Sequence, residues 1–391
     1  MNNAAAPCPE PDFEALRERA FNLRWATTEP DVIPLTAADP DLPVAPEVTR
    51  AIADYIAKPH LSYGPACGLP AFRRAVSEHF AREKSASIAP SRVIATNSAA
   101  SAITLVARHL LRAGDEVIVQ DPVDFLVAES ARRAGAEVRL WKATDGRFTL
   151  DGLRVAVSEG TKLISVCHPH NPLGMLWTPT EVEALAGFAR ERGIPLLSDE
   201  VWSDVVLDDA PFASFAGGAH PAWTVYGLSK GYALAGLRIG AVIAPDAVAA
   251  EEFARAQGFE HTIEGASTLS QVAAIAALDE AGEWRSRFLS HCARQRGLAI
   301  ARLGGLAGVR VPAAPEATFV LFIDIRGTGF SEDAVAERIE RLARVRVVPG
   351  SPRWFGSGAA GHIRLSLATT ERVLDEAITR IERAWPAIVA G

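Results

Sequence analysis

The chain has 391 residues, 49% of them hydrophobic and 22% charged, and carries a net charge of −7. That is material for a sizeable core and, at roughly 100–200 residues per domain, for two or three domains rather than one small one. The acidic balance excludes a protein built to grip nucleic acid, which needs a basic stripe, and no apolar run nears the ~18 residues of a membrane span.

In chain order, the first ~15 residues are rich in Pro and Ala and predict a loose arm. The N-terminus carries neither the basic nor the apolar stretch of an export signal, so a soluble, cytoplasmic protein is expected. LTAADPDLPVA (35–45) suits an ordered loop, and APEVTRAIADYIA after it spaces Val48, Ile52 and Ile56 as a helix does. SYGPACGLP (62–70) is a turn-rich loop leading into the helix AFRRAVSEHFAREK. Seven β-rich segments follow, at 92–97, 116–120, 137–141, 162–167, 195–198, 223–226 and 238–244. Between them lie the helix-period stretches SAITLVARHLLRAG, DFLVAESARRAG and TEVEALAGFARERG, each closing on a Gly suited to a left-handed cap. Strands that are mostly apolar throughout and interleaved with helices argue for an α/β sheet covered on both faces. From about residue 282 the texture becomes α+β: a long amphipathic helix, the strand TFVLFIDI, the helix DAVAERIERLAR, the strand pair VRVVP and HIRLSLA, and a terminal helix. That pattern predicts a second domain packed with the N-terminal segment. The expected division is 1–50, an arm and part of the small domain; 51–284, the large domain; and 285–391, the rest of the small domain.

Two tempting signals carry little. Cys8, Cys67, Cys167 and Cys292 lie far apart, with no C-x-x-C pair and no His at ligand spacing, so neither a metal site nor a disulfide framework is expected. GSGAAG (356–361) matches G-x-G-x-x-G, but a β-like segment follows it where the dinucleotide fingerprint needs a helix. It predicts a flexible loop and gives no basis for a nicotinamide dehydrogenase.

The informative segment is GLSKGYALAGLRIG (227–240). Lys230 follows a strand directly, flanked by Ser229 and Gly231, and Arg238 stands at the start of the next strand. A lone Lys in a loop is ordinarily solvated surface. Here LLSDEVW puts Asp199 at one strand's carboxyl end and SVCHPHNPLG puts Asn171 at another, the edge where open α/β sheets bind ligands. Those four side chains suit pyridoxal phosphate. Its aldehyde needs a Lys, its ring nitrogen stays protonated only beside a carboxylate, and its phenolic oxygen needs a neutral donor. Its phosphate wants an Arg and the free amides of a helix start, which TNSAASAI (96–103) offers.

With SYGP..GLP..R added, these motifs resemble those of the pyridoxal-phosphate enzymes with the aspartate-aminotransferase fold, over nearly the whole chain. The resemblance implies a large domain with a mostly parallel seven-stranded sheet, a small α+β domain built from both termini, and a homodimer with sites at the interface. It implies Lys230 as the Schiff-base lysine and proton shuttle, Asp199 at the ring nitrogen and Asn171 at the phenolic oxygen. Arg238, Ser229 and the amides of Ala99 and Ala100 would take the phosphate, with Tyr63 reaching the phosphate of the partner subunit. Arg364 would fork onto the substrate α-carboxylate, and Asp39 borders the substrate, where it would meet an amino group. The chain departs from that pattern at three points. Asp124 stands where an aromatic usually stacks on the ring, so either Phe125 substitutes or a carboxylate meets the ring face, Asp124 in the first case being a surface helix cap. Gly227 replaces a common Ser or Thr, losing a phosphate contact. Trp202 replaces a common Tyr, as a donor or as packing. His168 and His170 lack a carboxylate partner and are expected behind the site or facing solvent.

NLRW (22–25), AADPDLPVAPEV, DEVWSDVVLDDAPFASF and EATFVLFIDIRG are similar to segments of the cystathionine β-lyase-like branch. The expected function is therefore a carbon–sulfur β-lyase acting on a cysteine S-conjugate or cystathionine-like thioether, in specialised biosynthesis. An aminotransferase is the alternative, since the same residues serve both. A non-catalytic cofactor-binding regulator is a third reading, which the ~20 residues available before the enzyme-like region leave without room for a separate domain.

Overall fold

A computed structural model describes residues 9–311 and 314–390, so Cys8 lies outside the described residues. All seven β-rich segments become strands of one sheet, in the order Val93–Thr96, Gly240–Ile243, Trp223–Gly227, Leu196–Asp199, Thr161–Cys167, Glu116–Asp121, Glu137–Lys142. Gly240–Ile243 runs antiparallel to both neighbours, and every other adjacent pair is parallel. Val117 and Val119 pack with Ala102, Ile103 and Val106 of the helix Ala99–Leu110. Ile118 between them packs on the opposite face with Val182, Leu185 and Phe188 of the helix Pro179–Glu191. Both faces are thus covered, which is why these strands show no polar alternation. The edge strand Glu137–Lys142 differs, with Trp141 its one buried residue and three charged side chains along it, a composition that discourages pairing with another chain.

Gly135 (φ 81°) and Gly193 (φ 65°) follow the helix caps Ala134 and Arg192 as expected. The third glycine does something else: Gly114 (φ 89°) lies in the turn beyond the cap Leu111, where its N–H bonds the Gly135 carbonyl.

A second cluster gathers Trp25, Ile33 and Leu35 with Leu321, Ile323, Val335, Ile339, Leu374, Ile378 and Trp385. Its sheet sets His362–Ser366 antiparallel between Val320–Asp324 and Val348–Pro349. The segment VRVVP therefore splits: its first half, Val345–Arg346, pairs in parallel with Ile33–Pro34. Residues 13–15 of the expected loose arm are instead helical, because Asp12 accepts the Ala15 N–H and caps a helix over Phe13–Arg19, while residues 1–8 of that arm lie outside the described residues.

GSGAAG is a loop before a strand, but a pinned one. Asp121, at the end of its strand, accepts the Ser357 hydroxyl at 2.7 Å and the Gly358 N–H at 2.8 Å. A Cβ on Gly358 would lie 2.9 Å from the Asp121 carbonyl oxygen, so close backbone approach explains that glycine. Among the described residues no helix is long and apolar enough to cross a membrane.

Candidate active site

Thr96, Asp121, Cys167, Asp199 and Gly227 end parallel strands on one edge of the sheet. Gly240 begins the antiparallel strand, so its amino end reaches the same edge and carries Arg238 there. A cavity of about 800 Å³ opens over that edge, and every site residue named from the sequence lines it except Tyr63. Tyr63 is 91% exposed on the surface.

Lys230 points its amine at the Ala38 carbonyl, 5.5 Å from the centre of the Trp202 ring. Burial lowers its pKa from the usual lysine value, and Asp39 and Asp124 oppose that shift. A larger neutral, nucleophilic fraction follows. Asp199 ends its strand with one oxygen on the Val201 N–H at 3.1 Å, and burial pushes its pKa up to about 7.

Arg364 lies buried on His362–Ser366. It donates through Nη1 to Asn171 Oδ1 (3.2 Å) and through Nη2 to the Thr36 carbonyl (3.1 Å), while its Nε is buried without a hydrogen-bond partner among the described residues. Burial lowers its pKa to about 10, which leaves it cationic at neutral pH. An unused N–H on a guanidinium edge is what a carboxylate takes.

The helix Ala99–Leu110 turns its start to the cavity. Ser98 caps it by accepting the Ser101 N–H at 3.0 Å and, through its carbonyl, the Ala102 N–H, which leaves the amides of Ala99 and Ala100 for a ligand. A Cβ on Gly227 would lie 3.1 Å from both the Ala99 Cβ and Val201 Cγ2, so the absence of Ser or Thr there has a packing reason. Arg238 is not in the strand, as the sequence suggested, but before it in the left-handed region (φ 50°), exposed and, like Ser229, lining the cavity.

Asp124 and Phe125 both line the cavity, and what changes is the reading of Asp124 as a surface helix cap. It does support the following helix, accepting the Leu126 N–H at 3.2 Å, yet it is no surface cap: its other oxygen accepts Asn171 Nδ2 at 3.1 Å. Phe125 is 39% exposed with its ring edge-on to Trp354. Trp202 is buried edge-on against Phe319 while also lining the cavity. Asp39 lines it too, and its carboxylate accepts no hydrogen bond among the described residues; burial raises its pKa against the pull of Lys230. His168 and His170 do not face solvent: both are fully buried behind the site, His168 stacked on Phe212 and His170 beside Phe148. Burial drops each to about 3, so both are neutral.

Sequence reasoning missed what lies beneath Lys230. Asp204 is fully buried and bonded to Lys84 (2.6 Å), His79 (2.7 Å), Arg285 (3.3 Å) and the Tyr226 hydroxyl (2.6 Å). A side chain on Gly231, next to Lys230, would collide with it. Lys84 also donates to the Ser203 carbonyl, beside Trp202. No local pattern signals this cluster, whose members lie far apart in the chain.

The donor set fits pyridoxal phosphate: two free amides, a hydroxyl and a guanidinium for a dianion, a buried carboxylate for a ring nitrogen, and an amine of lowered basicity for an aldehyde. One consequence is thermal. A folded-state pKa of about 7 for Asp199, against ~3.9 unfolded, means the folded apoenzyme holds a proton that the unfolded chain has released. Its stability therefore falls as pH rises from about 4 to 7. A cationic ring nitrogen removes that cost, so the melting-temperature gain on adding cofactor is expected to widen over that range, and to stay flat in Asp199→Asn.

The profile of the family described as aminotransferase class I and II matches residues 30–381. Among curated proteins, an aspartate aminotransferase of Pyrococcus horikoshii is 31% identical over 90% of each chain. A candidate cystathionine β-lyase of Mycobacterium tuberculosis is 29% identical over 97% of this chain and 98% of its own. Among solved structures, a candidate PLP-dependent β-cystathionase of Corynebacterium diphtheriae superposes with a TM-score of 0.88 at 26% identity, covering 97% of this chain and 99% of that one. A family match across that span, joined to a cavity equipped for an aldehyde, a pyridine nitrogen and a phosphate, places the chain in the class I and II aminotransferase family, as a pyridoxal-phosphate-dependent enzyme.

Proposed function

We propose that the enzyme is a carbon–sulfur β-lyase that releases a thiol from a cysteine S-conjugate or a cystathionine-like thioether, acting in the cytoplasm as a homodimer. The observation carrying this reading is the charge inventory of the cavity. Its cations are Lys230, Arg238, Arg364 and the exposed Arg19. Once Arg238 takes the phosphate and Arg364 the α-carboxylate, no buried cation of the same chain, among the described residues, is left for a second carboxylate such as that of aspartate. An acid without hydrogen bonds, Asp39, remains instead. The thioether of a cysteine S-conjugate with an uncharged substituent needs no counter-charge; the far end of a cystathionine-like substrate is a zwitterion, whose ammonium suits Asp39 and whose carboxylate is left to the exposed Arg19.

Pyridoxal phosphate, when bound, supplies an aldehyde and an electron sink. Lys230 would hold that aldehyde, and its amine, when free, would take the proton from the substrate α-carbon. Asp199 keeps the ring nitrogen protonated. Asn171 donates to the phenolic oxygen with the amide hydrogen that Asp124 leaves free. Ala99, Ala100, Ser229 and Arg238 hold the phosphate, and Tyr63, exposed on its own chain, serves the phosphate of a second copy. Trp202 walls the cavity beside Lys230, and Arg364 orients the substrate so that the α-hydrogen meets the amine.

The aspartate aminotransferases among the relatives favour a second reading, amino transfer to a 2-oxo acid. Incubation with cystathionine and a panel of cysteine S-conjugates separates the two. Pyruvate and free thiol formed without a keto acid are the expected products; an amino acid formed from 2-oxoglutarate with no thiol released would overturn the lyase reading.

A further inference from the structure

Asp124 is the site residue with no work left in the mechanism. Its surroundings are specific. Asn171 Oδ1 accepts from Arg364 and Asn171 Nδ2 donates to Asp124. The chemistry leaves no other orientation: a guanidinium can only donate and a carboxylate only accept, so the amide is pinned between them. Arg364, Asn171 and Asp124 thus form one line of charge-assisted bonds, with the buried guanidinium at one end and the carboxylate at the other.

We propose that Asp124 takes up a proton when a substrate carboxylate seats on Arg364, and so links substrate binding to pH. This rests on Arg364 being the carboxylate site. The reasoning is electrostatic. Burial opposes the Asp124 anion, and Arg364 is the largest of the influences that support it, ahead of the Leu126 N–H, Lys230 and the Asn171 amide. A carboxylate pairing with the free Nε edge of Arg364 neutralises that charge and sets a second anion nearby. Asp124 then keeps one hydrogen bond from Asn171 and one from Leu126 against its full desolvation cost, and a proton restores neutrality. The charged and titratable groups facing Asp124 are Arg364, which favours its anion, Lys230, which does so only while its amine is free of the cofactor, and Asp199 and Cys167 of the neighbouring strands, which it disfavours in turn. None of these replaces the charge that the ligand cancels.

The sign is fixed by linkage. The pKa of Asp124 is higher in the complex than in the free enzyme, so carboxylates bind more tightly below the free-state pKa and lose affinity as pH rises toward the bound-state value. The neutralised acid then holds, at the reacting centre, a proton drawn from solvent as the substrate binds.

The test is titration calorimetry of the holoenzyme with 3-phenylpropionate, a monocarboxylate with no amine to react, in two buffers of different ionisation enthalpy. Wild type is expected to take up between half and one proton per probe bound at the pH of greatest uptake, located by repeating the titration across a pH series, the probe's affinity falling several-fold above it. Asp124→Asn is expected to bind with that uptake at least halved, and Asp124→Glu, which restores a carboxyl, to regain it. Equal proton uptake by wild type and Asp124→Asn would overturn the proposal. The visible imine band of the same samples reports the cofactor separately: its absence would refute the Lys230 assignment, while an intact band with equal uptake refutes only the role of Asp124.

Discussion

Lys230→Ala is expected to abolish the visible imine absorbance of the purified enzyme and to lower kcat/KM by about 10³–10⁴-fold, the scale of a lost positioned base. The loss follows from position: no other lysine lines the cavity. Folding is expected to survive. The Lys230 amine bonds a single backbone carbonyl, that of Ala38, and stands in open cavity rather than packed core. Its removal also relieves a buried amine whose charged form is disfavoured by desolvation. The spectrum decides the matter before any rate is measured. A variant that keeps the band has bound the aldehyde elsewhere, and the assignment of Lys230 falls. Partial rescue of the rate by a small free amine, with the fold intact by circular dichroism, would place the deficit in the missing amine alone.

Asp204→Ala is expected to cost about 3–5 kcal/mol of folding free energy, because it leaves buried cations without a counter-charge. Lys84 is fully buried, and desolvation already works against its charge; Asp204 is the chief influence opposing that. Arg285 retains Glu83, but Lys84 retains no other ion-pair partner among the described residues. Measured against a typical ~5–15 kcal/mol of total stability, the loss is large. The pH dependence carries a sign. Burial opposes the Asp204 anion, yet Lys84 and His79 overcome it and hold the carboxyl well below the usual carboxylate range. A depressed acid contributes stability that is present above its unfolded value of ~3.9 and is lost only as pH falls through the folded value. The difference between wild type and Asp204→Ala in urea unfolding is therefore expected to be constant from near-neutral pH down to about 4 and to shrink in stronger acid. A difference that disappears at neutral pH would remove Asp204 as the anchor of the cluster. Because Asp204 touches Gly231 beside Lys230, and Lys84 holds the backbone of Ser203 beside Trp202, a milder Asp204→Asn is expected to raise the mobility of both cavity walls.

What the sequence determined by itself is local. Seven strand segments, the helices between them and the chemistry at strand ends were legible because each rests on a short period or on a few adjacent residues: Lys230 after one strand, Asp199 closing another, small residues opening Ala99–Leu110. Tertiary structure decided everything that needed a partner from elsewhere in the chain. It turned Asp124 inward to an amide 47 residues away, buried His168 and His170 under aromatic rings, and sent half of VRVVP to the N-terminal segment. It also assembled Asp204 with a histidine 125 positions earlier. The physical reason is the same in each case. Backbone propensity acts within a few residues, whereas the cost of burying a charge or a polar ring is settled by whichever group the fold brings within 3 Å, and spacing along the chain carries no record of that.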